Sequence, residues 1–95
     1  MAKQVQRLKG KATIKNMLGL HARSAAKIAR IARKANSAVR VARGTLDADA
    51  ASAIDILTLA CAAGETLEFT IADPEDCDIL QALLDLVNNR FGEQQ

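Results

Sequence analysis

The spacing of the apolar residues most limits the fold of this 95-residue chain, because it changes repeatedly between the period of a strand and that of a helix. Segments that alternate apolar and polar residues, as strands with one buried face do, lie at 8–15, 39–41 and 66–71. Segments with apolar residues at helical spacing lie at 22–35, 54–60 and 77–91. A turn at Gly44-Thr45 lets residues 46–48 return as a further short strand. The predicted order is βαββαβα.

Local signals mark the ends of two helices. Ser52 and Asp55 have the spacing of a capping box, in which the serine hydroxyl accepts a first-turn N–H and the acid reaches back to the serine N–H. The helix that follows is expected to end at Gly64, a residue suited to the left-handed cap. Asp73, followed by Pro74 at the first helical position, predicts the start of the last helix.

Strands with one polar face imply an antiparallel sheet whose other face is covered by helices, so the predicted fold class is a two-layer α/β sandwich. A chain of 95 residues with 49% hydrophobic content can bury roughly 60 to 70% of its unfolded surface. No repeat or linker divides the sequence. We therefore expect one domain over residues 1–95.

The sequence also bears on location. The longest stretch without a charge, residues 56–64, has nine residues, whereas a membrane-spanning helix needs about 20 apolar residues. The start of the chain lacks the apolar core of a signal peptide. We expect a cytoplasmic protein that does not insert into a membrane.

Charge is divided unevenly along the chain. Residues 1–43 hold 12 of the 13 Lys and Arg and no acid, whereas residues 44–95 hold Arg90 and all 11 acids. If folding leaves part of the basic half on one face, that face would speed association with acidic partners. Alternatively, the two halves interleave on the surface and their charges cancel.

Residue types disfavour several function classes. The two aromatic residues, Phe69 and Phe91, lie at core-phased positions, so we expect no stacking platform for nucleic acid. One histidine and the distant Cys61 and Cys77 do not supply the paired ligands of a zinc site. We expect reduced core thiols and neither metal nor cofactor. An enzyme acting alone would need a base, an orienting group and a pocket, and no such set is visible.

The sole histidine, His21, directly precedes the first predicted helix. At a helix N-cap its imidazole would lie beside the N–H groups of Ala22, Arg23 and Ser24, which can bind an anion at the positive end of the helix dipole. The Arg23 guanidinium adds a group that holds phosphate oxygens. Because these positive surroundings disfavour the imidazolium, we expect a neutral nucleophile that gains a stabilised dianionic adduct once phosphorylated.

The stretch Gly19-Leu20-His21-Ala22-Arg23-Ser24 resembles the signature of HPr, the histidine phosphocarrier family of the phosphoenolpyruvate-dependent phosphotransferase system. The resemblance extends over nearly the whole chain, because the loop glycine, the element order and the serine opening the second helix also match. It implies an open-faced sandwich with a four-stranded antiparallel sheet, order 1-4-2-3, and three helices on one face. The ending Leu86–Phe91 is somewhat similar to the nitrogen-branch paralogue, so a sugar-transport and a regulatory branch both stay open.

The family resemblance also implies a function. His21 would accept a phosphoryl group from enzyme I and pass it to IIA proteins or domains, with Arg23 assisting and Ala22, Arg23 and Ser24 binding the phosphate. The protein would be a stoichiometric carrier, acting as a monomer, and not an enzyme. The alternative function is an HPr-like regulatory adapter controlled through Ser52, although such relatives lack the active histidine.

Ser24 departs from the family, which has a proline after the arginine. A serine restores a backbone N–H and adds a hydroxyl that could bond the phosphoryl oxygens, but it removes the fixed φ of proline. Alternatively, Ser24 is a tolerated, exposed helix residue.

Ser52 matches the position of the serine that HPr kinase/phosphorylase modifies in many bacteria. Ala51 and Asp55 differ from the usual neighbours, and the acids Asp49 and Asp55 would repel a phosphate there. A structural N-cap is therefore favoured over regulatory phosphorylation.

Five residues are candidates for a docking patch near His21: Met17, Leu18, Ala53, Ile54 and Leu57. The family resemblance favours exposure of this patch, since its partners are met by one shared apolar surface. Lys27 and Arg30 would form a basic rim. Alternatively, Ile54 and Leu57 belong to the core.

Overall fold

A computed structural model describes residues 8–95 of the chain. Its strands and α-helices are β1 (Lys9–Thr13), α1 (Ala22–Ala32), β2 (Val39–Arg43), β3 (Leu46–Asp49), α2 (Ala53–Leu57), β4 (Thr66–Ile71) and α3 (Cys77–Asn88). Single 3₁₀ turns at Pro74–Asp76 and Arg90–Gly92 flank α3. The predicted order βαββαβα is confirmed, while the part of the predicted domain before Leu8 lies outside the described residues.

The four strands form one antiparallel sheet in the order β1-β4-β2-β3. Along β1, Gly10 and Ala12 are buried, whereas Lys9, Lys11 and Thr13 are exposed. This alternation places one face of the sheet against the helices and leaves the other to solvent. The predicted open-faced sandwich and its strand order are confirmed.

The helices pack closely on the sheet because the facing side chains are small or aliphatic. At Gly10 on β1, an added Cβ would lie 2.7 Å from Leu84 Cδ1 of α3, so a larger residue would require the Leu84 side chain to shift. From α1 the core receives Ala25, Ile28, Ala29 and Ala32, and from α3 it receives Leu80, Leu83, Leu84 and Val87. Among residues 8–95, no helix has the length and apolar character of a membrane span.

The second helix is shorter than predicted, and its capping box is incomplete. Ser52 Oγ accepts the Asp55 N–H at 3.2 Å, as expected. However, the Ser52 N–H donates to Asp49 O, and the Asp55 carboxylate accepts the Asp49 N–H at 2.9 Å. The predicted capping box required the Asp55 carboxylate to accept the Ser52 N–H. This carboxylate instead stabilises the tight turn between β3 and α2.

The predicted end of α2 at Gly64 is wrong. The helix stops at Leu57, and Ala60 takes a left-handed φ of 50° that breaks the helical path. Gly64 also has a positive φ, but it lies in the turn before β4, where its N–H donates to Ile14 O.

The other helix ends also differ from the predictions. Asp73 caps only the 3₁₀ turn before α3, and α1 ends at Ala32 and not at residue 35. The buried Asp76 carboxylate accepts the N–H groups of Asn36 and Ser37, which holds these two regions together. Phe91 is buried as predicted, but beyond the end of α3 and with φ 56°.

Candidate functional site

His21 is the N-cap of α1. Its backbone is extended, with φ −138° and ψ −179°, and its carbonyl accepts the first helical hydrogen bond from Ala25 N at 2.8 Å. The ring nitrogen Nδ1 turns back to the helix and accepts the Arg23 N–H at 3.2 Å. The ring is therefore held against the positive end of α1, where first-turn N–H groups have no helical carbonyl to bond.

Ser24 completes a reciprocal cap with His21. The Ser24 hydroxyl accepts the His21 N–H at 2.8 Å and donates to His21 O at 3.0 Å. The residue is fully buried, so the interpretation of Ser24 as an exposed helix residue is wrong. Because its one O–H is given to His21 O, the hydroxyl has no donor left for a phosphoryl oxygen in this geometry. Its structural contribution is to hold the backbone of His21.

Glu93, a residue that sequence reasoning missed, contacts the other ring nitrogen. His21 Nε2 lies 2.5 Å from Glu93 Oε2. The second carboxylate oxygen, Oε1, accepts from Asn16 Nδ2 at 2.9 Å. Since Nδ1 accepts a backbone N–H, the proton of the neutral ring is on Nε2 and is donated to Glu93. The two residues are 72 positions apart, and no local pattern indicated this pairing.

The surroundings of Glu93 favour its ionised form. Partial burial tends to raise the pKa of this carboxyl, but the hydrogen bonds from His21 and Asn16 and the positive charge of Arg23 outweigh it, so the pKa lies below its ordinary value. The carboxylate is therefore negatively charged near neutral pH. A fixed negative charge beside Nε2 opposes the effect of the helix dipole and of Arg23 on the ring.

Arg23 and the C-terminal tail border a groove beside the histidine. The groove has a volume of about 310 Å³ and is lined by Met17, Leu18, Arg23, Glu93, Gln94 and Gln95. Both Arg23 and Ala22 are exposed at the first turn of α1. Within the described part of the chain, no three His, Cys, Asp or Glu side chains come together as metal ligands.

The predicted docking patch is largely on the surface. Met17 is 71% exposed and Ile54 is 81% exposed, with Leu18 and Leu57 also exposed and Ala53 half-buried. The interpretation that placed Ile54 and Leu57 in the core is wrong, because α2 instead buries Ile56. A helix of five residues has a single face toward the core, and Ile56 lies on that face.

Only one of the two residues of the predicted basic rim is exposed. Arg30 is exposed, whereas Lys27 is half-buried and its Nζ donates to Phe91 O at 2.6 Å. Lys27 therefore anchors the turn after α3, and its assignment to a free rim needs correction. Ser52 is half-buried at the N-cap of α2, as predicted.

The open-faced sandwich thus presents a histidine at a helix N-terminus, with its second ring nitrogen bonded to a carboxylate. A family model described as the phosphorylation site of the PTS HPr component matches residues 8–89. The chain belongs to the HPr family of phosphocarrier proteins of the phosphotransferase system.

Relatives and solved structures agree with this assignment. The chain is 40% identical over 81 residues to phosphocarrier protein HPr of Cupriavidus necator, which covers 85% of this chain and 91% of the relative. It is 35% identical over 88 residues to phosphocarrier protein NPr of Shewanella violacea, covering 92% and 96%. The crystal structure of HPr-C-His from Thermoanaerobacter tengcongensis superposes with a TM-score of 0.86 at 29% identity, covering 94% of this chain and 100% of that one.

Proposed function

We propose that this protein carries a phosphoryl group on His21, which it accepts from phospho-enzyme I and donates to IIA proteins or domains. The observation that supports this most directly is that the two ring nitrogens of His21 have different hydrogen-bond partners. Nε2 is tied to Glu93, whereas Nδ1 carries a lone pair and faces the first turn of α1. Nδ1 is therefore the nitrogen that we assign to the phosphoryl group.

The first turn of α1 suits the product of this transfer. A phosphoryl group on Nδ1 would replace the ring nitrogen as acceptor of the Arg23 N–H, and the N–H groups of Ala22 and Ser24 lie in the same turn. Backbone donors at a helix N-terminus favour a dianion without moving. The exposed Arg23 guanidinium supplies a positive charge that can bond the phosphoryl oxygens.

The exposed apolar side chains beside this turn support a carrier that meets its partners in succession. Met17 and Leu18 border the groove at His21, and Ile54 and Leu57 are exposed on α2, which contacts α1. A single surface of this kind would serve both enzyme I and the IIA partner, because a carrier has to release one before it binds the other. In this proposal residues 1–95 form one cytoplasmic, monomeric domain that is consumed and regenerated by its partners and is not itself an enzyme.

A second candidate function is regulatory phosphorylation of Ser52 by HPr kinase/phosphorylase. Its supporting observation is the position of Ser52 at the N-cap of α2, close to the exposed Ile54. The Asp49 and Asp55 carboxylates that stabilise this turn would repel a phosphate. We therefore favour the structural role.

The carrier proposal is tested by incubating the protein with enzyme I and labelled phosphoenolpyruvate. We expect one phosphoryl group per chain, held as an acid-labile, base-stable phosphoramidate and transferable to a IIA protein. His21→Ala should abolish the labelling. Arg40→Ala, at an exposed ion pair with Asp47 on the sheet, is the matched control and should be labelled like the wild type. Full labelling of the alanine variant at position 21 would overturn the assignment.

A further inference from the structure

The segment after α3 lies beside His21 and is held there by several independent contacts. Phe91 is fully buried and anchors the start of this segment. Hydrogen bonds then follow along it: Lys27 Nζ to Phe91 O at 2.6 Å, Asn16 Nδ2 to Glu93 Oε1 at 2.9 Å, and Met17 N to Gln95 O at 2.8 Å. These contacts hold the backbone of the segment in place, so that Glu93 lies against His21.

The Glu93 carboxylate is held by Asn16, a residue whose own position is fixed by burial and hydrogen bonding. Asn16 is fully buried, and its Nδ2 donates both to Glu93 Oε1 and to Gly19 O at 2.8 Å. The side chains of His21 and Glu93 are only 24% and 15% exposed. Partial exclusion of water strengthens the interaction between a carboxylate and any positive charge that forms on the ring.

We propose that Glu93 is a positioning residue for phosphoryl transfer through His21: it holds the proton on Nε2, so that Nδ1 keeps the lone pair that bonds to phosphorus, and it neutralises the charge that the ring acquires. This inference rests on the proposed function. A histidine between a carboxylate and a reacting atom is held in the right tautomer by the same arrangement in hydrolytic triads.

The electron and proton balance gives Glu93 a defined part in both transfers. In the first, the Nδ1 lone pair forms a bond to phosphorus while the bond from phosphorus to the donor breaks, and its electron pair leaves with the donor. The ring of His21 then carries Nε2–H, a bond from Nδ1 to phosphorus and a positive charge next to the Glu93 carboxylate. In the second, the acceptor attacks phosphorus and the electron pair of the Nδ1–P bond returns to Nδ1. The Nε2 proton never leaves, so Glu93 moves no proton.

Substitutions at Glu93 separate charge from shape. In Glu93→Gln an amide of the same size replaces the carboxylate, and in Glu93→Ala the partner of Nε2 is removed. Glu75→Ala is the matched control, because Glu75 is an exposed carboxylate in the 3₁₀ turn before α3 and lies outside the groove. Each variant is examined by ¹⁵N NMR of the histidine ring and by the rate of transfer from phospho-enzyme I. Amide spectra outside the tail check the fold.

In the wild type and in Glu75→Ala we expect the Nε2–H tautomer and equal transfer rates. In Glu93→Ala the ring signals should shift toward a mixture of tautomers. In both Glu93 variants transfer should slow roughly ten- to a hundredfold, the size expected for losing one charge-assisted contact.

Two results would overturn the inference while leaving the carrier proposal intact. In one, wild type and both Glu93 variants are labelled on His21 at equal rates with unchanged ring signals. In the other, Glu93→Ala accepts the phosphoryl group faster, which would mean that the carboxylate obstructs the ring. Absence of labelling in the wild type would instead overturn the proposed function, and the inference with it.

Discussion

His21 and Ser52 occupy the same position at the start of two helices, and the side chain of each accepts a backbone N–H of its own first turn. The surroundings differ in charge. Near His21 lie Arg23 and the positive end of an eleven-residue helix, and the Glu93 carboxylate bonds the far ring nitrogen, Nε2. Ser52 opens a helix of five residues and is flanked by Asp49 and Asp55. The same N-cap position therefore suits an anion in the first case and disfavours one in the second.

The two caps also differ in how firmly they are held. At α1 the cap is reciprocal, since Ser24 Oγ accepts the His21 N–H. At α2 the acid that would reciprocate bonds the Asp49 N–H instead. Under the proposed function, the surrounding charges and the reciprocal cap favour a phosphorylated His21, whereas Ser52 has neither advantage. Three predictions test this difference.

The largest effect is expected from Arg23→Ala, which removes positive charge from the α1 cap. Losing one charge-assisted contact of about 1.5 to 3 kcal/mol should slow transfer by roughly an order of magnitude or more. Stability should change little, because the side chain is exposed. Rapid-quench measurements with phospho-enzyme I provide the rate, and Arg40→Ala is the control. If a folded Arg23→Ala variant transfers the phosphoryl group at an unchanged rate, the positive charge of Arg23 does not explain the difference between the two caps.

Ser24→Ala tests the reciprocal cap. It deletes a buried hydroxyl with two hydrogen bonds to His21 and leaves the His21 N–H without its partner. We expect a loss of about 1 to 3 kcal/mol in the free energy of unfolding, measured with urea. Ser37→Ala, at an exposed serine beyond α1, should change stability far less. If the two variants are equally stable, the reciprocal cap does not distinguish α1 from α2.

Ser52→Ala should give the smallest change. Losing the single hydrogen bond from the Asp55 N–H is expected to cost about 0.5 to 2 kcal/mol of stability, with labelling of His21 nearly intact. Ser52→Asp should keep most of the stability, because aspartate also caps helices.

The aspartate variant also separates the structural role of Ser52 from a regulatory one. A control point at Ser52 requires slower transfer from enzyme I in Ser52→Asp, since negative charge beside the docking patch opposes an acidic partner. Given Asp49 and Asp55, we expect equal transfer rates and no labelling by HPr kinase and ATP. A slower aspartate variant would show that the α2 cap can also act as a control point.

The order of elements could be predicted because strand and helix periods are local properties. Alternation along β1 and β4 and helical spacing along α1 and α3 each follow from one buried face. Helix ends were predicted less well. Gly64 and Asp73 are good capping residues by type, yet α2 stops at Leu57 and Asp73 caps a 3₁₀ turn. The end of a short helix depends on which carbonyls and N–H groups the rest of the fold can pair.

The βαββαβα order, the N-cap position of His21 and its neighbour Arg23 could be predicted from the sequence alone, because all three depend on residues close together in the chain. The packed fold was needed to show that Glu93 contacts Nε2 of His21 and that Ser24 is buried. It also showed that Lys27 bonds Phe91 O and is therefore not part of an exposed basic rim. These contacts join positions up to 72 residues apart. A period in the sequence specifies which face of an element is buried, whereas the polar partners of distant side chains are set by how the elements pack.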